Sequence, residues 1–344
     1  MVAAKPTYFP TLHLLRGAAA LGVFSAHVAA HWPHSPVIGT FRLGAIGVQL
    51  FFVLSGFLIA HVGRAHVGSP ASVGPFLRAR WARTLLPYWA MLPLAAGTFV
   101  VFKWPIGGGP LTADTILRAL LVFDQQSAPI LSAAWTLTYE WGFYLAFAAT
   151  ALLFGRRTWW GFVALWCVVI CAGYPSDGRY TPRLQETIWV AFFLGVLAEE
   201  VARRPARTQQ GPWVGLALLG IAVLAWQPAA ESWRADLAWP VPFALLVTAA
   251  ARYDLSSPTV YPRALTCWGD WSYAIYLLHE PLMFWAFWAL PHQPETAPTY
   301  PVMLVGAAGI LLGCVAFHYA VEQPLVRWGR RCGAGRVMAL RVAA

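Results

Sequence analysis

The chain has 344 residues, of which 59% are apolar and only 11% are charged. Soluble domains carry about a quarter of charged residues, so this composition excludes a soluble globular protein and indicates an integral membrane protein. The net charge of +10 is spread over short loops and not concentrated on one face, which argues against nucleic acid as a partner. None of the five cysteines falls in a loop on the outer side, so we expect no disulfide framework. Cys167 and Cys171 are one helical turn apart but lack nearby His or Asp partners, which favours packing over a metal site.

Ten apolar segments are long enough, or nearly long enough, to cross a bilayer as helices. They cover residues 12–31, 44–62, 85–102, 135–154, 158–174, 187–200, 212–227, 236–251, 268–290 and 300–322. Most Lys and Arg residues lie after the even-numbered segments and at the two ends, so the positive-inside rule places both termini in the cytoplasm. We therefore predict an all-α, polytopic membrane helix bundle of about ten transmembrane helices. It forms a single domain over residues 1–344, with a cytoplasmic tail at 323–344.

The first segment contains two ionisable residues, Arg16 and His27. Eleven positions bring an α-helix almost back to the same face, so both side chains share one stripe, about 16 Å apart along the axis. Ionisable side chains are costly in hydrocarbon and mark a functional-site hypothesis. The alternative, commoner for a lone histidine, is that Arg16 extends to the surface and His27 bonds a neighbouring helix. His27 and His31 have metal-ligand spacing, but no acidic third ligand lies nearby, so we expect no metal.

Three arginines, Arg78, Arg80 and Arg83, come just before the third segment. Arg80 and Arg83 are one helical turn apart. They are either positive-inside anchors beside an aromatic belt or a fork of guanidinium groups that binds phosphate from the cytoplasm. By themselves, the arginines favour the first interpretation.

Two later segments also carry polar side chains. Glu140 lies about one turn inside the fourth segment, where an unpaired carboxylate is expensive. It could pair with an arginine, orient a histidine or contact a polar acceptor. In the ninth segment, Ser272, Tyr276 and His279 recur on one helical face. Such a stripe must face protein or a water-filled cavity.

Taken in order, these motifs resemble those of the acyltransferase 3 family, polytopic membrane enzymes that modify extracytoplasmic glycans and some small molecules. The matching motifs are Leu15-Arg16-Gly17 with ten residues between Arg16 and His27, Leu50-Phe51-Phe52-Val53-Leu54-Ser55-Gly56-Phe57-Leu58-Ile59, Arg80-x-x-Arg83 with Pro87-Tyr88, Trp135-Thr136-Leu137 with Glu140 and Phe143-Tyr144, Ser272-Tyr273 with Tyr276-Leu277 and His279, and Glu322 with Pro324. Gln49, Thr136 and Trp141 depart from the family pattern, which concerns the acceptor contacts more than the donor contacts.

The resemblance implies a multi-pass protein of the bacterial cytoplasmic (inner) membrane that takes acyl-CoA, often acetyl-CoA, as its donor. It assigns His27 as the essential histidine and Arg16, Arg80 and Arg83 as functional residues. The expected activity is acyl transfer, for groups other than aminoacyl groups, to a hydroxyl of an extracytoplasmic or lipid-linked carbohydrate. A macrolide-like small molecule or a peptidoglycan sugar is the alternative acceptor.

A mechanism follows from this resemblance. The CoA phosphates are expected to bind near Arg80 and Arg83, with Arg78 beside them, and the pantetheine arm to pass Arg16. His27 then either deprotonates the acceptor hydroxyl or carries the acyl group briefly as an acyl-imidazole, and the sequence leaves both routes open.

Weaker assignments complete the predicted site. Glu140 and His279 are expected to orient His27 or the acceptor, and Tyr276, with Ser272 on the same face, to contact substrate or the developing oxyanion. The rival from another class is a transporter of a polar or glycolipid substrate, with the deep histidine as a proton relay. The ordered motifs and the lack of a visible internal repeat argue against it.

Overall fold

The computed structural model of the protein describes residues 8–30, 43–64, 66, 70–102, 111–122, 130–154, 161–162, 164, 188–204, 211–226, 239–256, 260–288 and 300–331. Every regular element in these ranges is helical, and none of them contains a strand. The all-α class predicted from the sequence is therefore confirmed.

Apart from Ala113–Leu121, which matches none of the ten predicted segments, and the start of the third helix, the helices of the described ranges agree closely with those segments. They are α1 Pro10–Ala30, α2 Leu43–Gly63, α3 Pro70–Phe102, α4 Ala113–Leu121, α5 Trp135–Phe154, α6 Ile188–Arg203, α7 Gly211–Trp226, α8 Pro240–Ser256, α9 Arg263–Trp288 and α10 Tyr300–Phe317. A π-helix, His318–Glu322, follows α10 and continues into a helical segment at residues 323–331. The fifth predicted span, residues 158–174, lies almost wholly outside the described residues.

The start of α3 differs from the prediction. Helix α3 begins at Pro70, well before the predicted span at residue 85, because proline suits the first position of a helix. Arg78, Arg80 and Arg83 consequently lie within one continuous helix and not in a loop before it.

Two helices in the described part of the chain are long and apolar enough by themselves to cross a bilayer. They are Trp135–Phe154 and the continuous helix Val302–Arg331. Gly47–Gly63 is a shorter apolar helix. The number of ten spans and the cytoplasmic placement of both termini stay predictions.

The helices group into two compact units. The first comprises Met1–Val23, Arg42–Pro70 and Ala146–Ser272, and the second comprises Phe24–Phe41, Ala71–Leu145 and Tyr273–Ala344. Helices α1, α5 and α9 contribute residues to both units. The prediction of a single domain over the whole chain stays a prediction.

In the first unit, α2 and α6 approach each other backbone to backbone at two glycines. A Cβ atom on Gly56 would lie 2.0 Å from the Phe192 carbonyl oxygen, and one on Gly195 would lie 2.1 Å from the Val53 carbonyl oxygen. Both distances are far below van der Waals contact, so only glycine fits at either position. Small residues allow this approach between membrane helices, whose association depends on close packing.

An ion cluster lies beside this helix pair. Arg64, which follows α2, donates from Nη2 to the Glu199 carboxylate of α6 at 2.6 Å and also bonds Glu200. Glu199 is fully buried, and it has His61 and Arg203 each at 3.5 Å. Burial alone would lower the pKa of Arg64, but its hydrogen bonds with the two glutamates raise that pKa above its ordinary value. Arg64 therefore keeps its positive charge beside the two glutamates.

We expect Arg64→Met to lower the free energy of unfolding by about 3 kcal/mol, because it leaves Glu199 buried with incomplete partners. The melting temperature of the purified protein in detergent measures the change. The matched control is Arg204→Met, since Arg204 is 69% exposed and 3.9 Å from Glu200, and such surface pairs contribute about 1 kcal/mol or less. Equal melting temperatures for the two variants would contradict a structural role of the cluster.

In the second unit, α3 is the helix on which α5 and α9 pack. Tyr273 of α9 donates to the Thr84 carbonyl at 2.5 Å, and Trp285 of α9 donates to the Thr98 hydroxyl at 2.8 Å. Because the later residue of α9 contacts the later residue of α3, the two helices run parallel. Trp141 of α5 donates to the Thr84 hydroxyl at 3.0 Å. These bonds hold the polar residues of the three helices at defined heights along α3.

Candidate active site

Helices α1 and α9 bring two histidines together in the second unit. His27 lies in the last turn of α1, and its Nδ1 is 2.6 Å from Nε2 of His279 on α9. The ring centroids are 4.9 Å apart and the ring planes differ by 13°. Because the nitrogens are so much closer than the centroids, the rings meet edge to edge, nearly in one plane. This is the geometry of an N–H···N hydrogen bond.

The position of each proton follows from the hydrogen-bond network. His279 Nδ1 lies 2.7 Å from the Ile275 carbonyl oxygen, and a carbonyl only accepts, so Nδ1 carries the hydrogen. In a neutral His279, Nε2 then has a lone pair and accepts from Nδ1–H of His27. The other nitrogen of a neutral His27, Nε2, is left with a lone pair. Nε2 is therefore the atom of His27 that can act as a base or a nucleophile.

The two histidines differ in exposure in the way that a reactive residue and its orienting partner do. The side chain of His27 is 38% exposed, whereas His279 is fully buried. The ring of Phe24 packs edge-on against His279, with 6.1 Å between the centroids. A catalytic histidine is commonly held in one tautomer by a buried acceptor on its other nitrogen. His279 occupies that place relative to His27.

Glu280 was not among the residues predicted from the sequence. Its Oε1 lies 3.9 Å from His27 Nδ1, and its Oε2 is buried without a hydrogen-bond partner in the described residues. A carboxylate at this distance stabilises an imidazolium. Glu280 directly follows His279, but adjacent helical positions point about 100° apart, so it lies off the predicted stripe. The sequence feature that could have identified Glu280 is its acidic side chain inside an apolar segment.

His27, His279 and Glu280 together also form a candidate set of metal ligands. One ligand atom from each of His27, His279 and Glu280 lies within 4.8 Å of the others, and two imidazoles with a carboxylate are a known zinc ligand set. Here the two imidazole nitrogens are bonded directly to each other at 2.6 Å. The expectation of no metal stays a prediction. It rested on the lack of an acidic third ligand near His27 and His31 in the sequence, and His31 lies outside the described residues.

In the arginine cluster, defined as Arg78, Arg80 and Arg83 of α3, Arg80 lies against two aromatic side chains. The Arg80 guanidinium carbon is 5.9 Å from the ring centre of Phe76 and 6.0 Å from that of Tyr144, within the range of cation–π attraction. The Nε atoms of Arg78 and Arg80 are buried without hydrogen-bond partners among the described residues. Guanidinium groups whose buried Nε–H has no partner within the protein suit an anionic ligand.

Glu140 belongs to this neighbourhood through Tyr144. The Tyr144 hydroxyl, one turn later on α5, donates to the Glu140 carboxylate, and the Tyr144 ring contacts Arg80. Within the described ranges, Glu140 makes no hydrogen bond with His27 or His279. The structure therefore brings Glu140 together with the arginine cluster and not with the histidine pair.

Two weaker candidates on α9 already have hydrogen bonds inside the protein. Ser272 is fully buried, and its hydroxyl donates to the Gly269 carbonyl of its own helix at 2.7 Å. The Tyr276 hydroxyl pairs with the Thr136 hydroxyl. Since Thr136 donates to the Ala133 carbonyl at 3.0 Å, it accepts from Tyr276. Contact of either residue with substrate stays a prediction.

Arg16 lies in the first unit, on the same continuous helix as His27. The helical rise separates the two by about 16 Å. A Cβ atom on the next residue, Gly17, would lie 2.9 Å from the backbone nitrogen of Gly269, so α1 and α9 cross closely beside Arg16. The half-buried Arg16 is thereby held at the α1–α9 crossing.

Comparison with known proteins decides the family. The sequence pattern of the acyltransferase 3 family, described as an acyltransferase domain, matches residues 9–319. This chain belongs to the acyltransferase 3 family. It is accordingly an acyltransferase, and the resemblance drawn from its motifs is confirmed. Members of the family are typically embedded in membranes, in agreement with the two long apolar helices.

Curated relatives resemble this acyltransferase over most of their length. Acyltransferase MdmB of Streptomyces mycarofaciens is 28% identical over 364 residues, which cover 94% of this chain and 93% of the relative. Exopolysaccharide production protein ExoZ of Rhizobium meliloti is 26% identical over 331 residues, or 84% and 92% of the two chains. Protein 2 in the picA locus of Rhizobium radiobacter is 30% identical over 44% of this chain. No solved structure matches it significantly.

Proposed function

We propose that the protein is an integral membrane O-acyltransferase that moves an acyl group, acetyl foremost, from cytoplasmic acyl-CoA to a hydroxyl of an extracytoplasmic or lipid-linked carbohydrate. The observation that carries the proposal is the His27–His279 pair, which leaves a lone pair on Nε2 of a partly exposed histidine. Membership of the acyltransferase 3 family supports the reaction class. The name of its relative ExoZ, an exopolysaccharide production protein, supports a carbohydrate acceptor.

The arginine cluster provides the donor side of this proposal. Its unused guanidinium donors suit the phosphates of CoA, and Arg80 is held for that purpose by Phe76 and Tyr144. Guanidinium groups match phosphate oxygens in charge and in geometry. Arg16 stays the proposed contact of the extended pantetheine arm, since it shares a helix with His27.

Acyl transfer can use His27 Nε2 by two chemical routes. In the first, Nε2 takes the proton of the acceptor hydroxyl while that oxygen attacks the thioester carbonyl; the C–S bond breaks, and the proton passes to the CoA sulfur. In the second, Nε2 attacks the carbonyl, the C–S bond breaks, and CoA leaves as a thiolate while an acyl-imidazole forms. The acceptor hydroxyl then attacks the acyl carbon, the C–N bond breaks, and the hydroxyl proton passes to the CoA thiolate. His27 is cationic at one stage of either route. His279 stabilises that cation by accepting a hydrogen bond from Nδ1–H, and Glu280 stabilises it by its negative charge.

Replacing His279 should separate its orienting role from a structural one. We expect His279→Leu to lower kcat about 100-fold, because His27 loses the acceptor that sets its tautomer, while KM for acyl-CoA changes little. His279→Gln keeps an oxygen that can accept from Nδ1–H and should recover part of the rate. Transfer of labelled acetyl from CoA measures both. A higher KM with unchanged kcat in His279→Leu would contradict the role.

Donor-dependent label transfer tests the function itself. Proteoliposomes that contain the purified protein receive labelled acetyl-CoA together with a lipid-linked oligosaccharide, a peptidoglycan fragment or a macrolide. We expect labelled oligosaccharide and an equal amount of released CoA thiol. Label on the macrolide or the peptidoglycan fragment alone would overturn the carbohydrate acceptor. Movement of an acceptor across the membrane without thiol release would instead indicate the transporter.

A further inference from the structure

The helical segment at residues 323–331 packs on α3 beside the arginine cluster, within the second unit. A Cβ atom on Gly329 would lie 2.4 Å from the Cβ of Ala82 and 3.2 Å from a methyl carbon of Leu86. Ala82 is fully buried, and it stands between Arg80 and Arg83 in the chain. The absence of a side chain at Gly329 therefore lets the segment approach α3 at the height of the two arginines.

The residue that follows this contact is Arg330. Partial burial lowers the pKa of Arg330, and the positive charges of Arg83 and Arg80 lower it further. Glu322, the last residue of the π-helix before this segment, is hydrogen-bonded to His318 at 2.8 Å. Among the described residues, no carboxylate lies within ion-pair distance of Arg80, Arg83 or Arg330. Arg330 thus comes directly after the close contact with Ala82, which lies between Arg80 and Arg83 in the chain.

We propose that Arg330 is the third arginine of the donor site and binds the nucleotide phosphates of acyl-CoA together with Arg80 and Arg83. The inference rests on the proposed function, which supplies acyl-CoA as the donor. A phosphate monoester offers three oxygens and close to two negative charges at neutral pH. Three guanidinium groups from two chain segments match that group better than the two on α3 do. Binding would also relieve the repulsion among the three arginines.

A phosphate can also come from an anionic lipid headgroup, so the experiment separates the two sources. The full chain is placed in nanodiscs of phosphatidylcholine alone, and in a second set that also contains phosphatidylglycerol. Calorimetry measures the binding of CoA and of 3′,5′-ADP. In both sets we expect Arg330→Ala to weaken binding about tenfold, the usual effect of losing one charge-assisted bond. Arg330→Lys, which keeps the charge, should recover part of the affinity.

The matched control is Arg331→Ala, which removes the same charge from the neighbouring residue and should leave affinity unchanged; Arg330 and Arg331 are both exposed. Equal affinities for Arg330→Ala and Arg331→Ala would overturn the inference, and weak binding by Arg80→Ala/Arg83→Ala would then show that the donor site itself stands. A loss confined to phosphatidylglycerol nanodiscs would assign Arg330 to lipid and overturn the inference. If wild-type protein bound neither CoA nor 3′,5′-ADP, the inference and the proposed donor would both fail.

Discussion

Replacing His27 with alanine should lower the rate of acyl transfer about 1,000-fold while CoA binding stays intact. The variant removes the lone pair of Nε2, and a positioned base contributes about 10²- to 10⁴-fold to a rate. Single-turnover transfer from labelled acetyl-CoA measures the loss, and calorimetry measures CoA affinity. The matched control is His13→Ala on the same helix, since His13 pairs with Asp270 at 3.0 Å and should be dispensable for transfer.

The same variant also distinguishes the two chemical routes. If His27 carries the acyl group, wild-type protein incubated with labelled acetyl-CoA and no acceptor should retain hydroxylamine-sensitive label, and His27→Ala should retain none. If His27 acts only as a base, neither protein is labelled although transfer still depends on His27. A His27→Ala protein that inserts normally and transfers at the wild-type rate would refute both routes.

Replacing Arg80 and Arg83 together should weaken acyl-CoA binding about 100-fold or more, because each guanidinium group loses a charge-assisted bond to phosphate. KM for acyl-CoA should rise accordingly, while kcat at saturating donor should fall much less, since the lost contacts are made in the ground state as well. Titration with CoA at two salt concentrations measures the change, and wild-type affinity should fall with salt.

A double variant with the same change in net charge controls for this result. Arg327→Ala/Arg331→Ala removes two exposed guanidinium groups, one of which bonds Gln323 at 2.7 Å. Its affinity for CoA should stay close to that of wild type. Unchanged CoA affinity in Arg80→Ala/Arg83→Ala, in protein with an unaltered melting temperature, would move the donor site elsewhere.

The helices could be predicted from the sequence because an apolar run of a given length depends on local composition alone. The described helices other than α4 follow the predicted segments closely except at α3, which begins fifteen residues earlier than its apolar run, at Pro70. Its first turns carry Arg78, Arg80 and Arg83, and hydropathy does not register a helix that is polar. The Arg16–His27 stripe likewise needed only the helical repeat.

The contacts of the site could not be predicted in the same way. His27 and His279 were each singled out, but 252 positions separate them, and no helical repeat relates residues on different segments. Glu140 is an instructive case: the sequence left open an arginine, a histidine or an acceptor as its partner. In the structure Glu140 accepts from Tyr144, whose ring contacts Arg80, because α5 packs on α3 through the bond from Trp141 to Thr84.

By itself, the sequence determined the membrane class, the all-α fold, the family and the residues that carry costly polar groups in apolar segments. The family follows from the resemblance of the ordered motifs, and the rest follows from composition and from spacing along single helices, where the geometry is the same in every protein. Only the tertiary structure decided that His279 and Glu280 meet His27, and that Gly329 brings the segment of Arg330 against α3 at Ala82. Such meetings depend on where helices cross, and glycines such as Gly329 determine that by how closely they let two backbones approach.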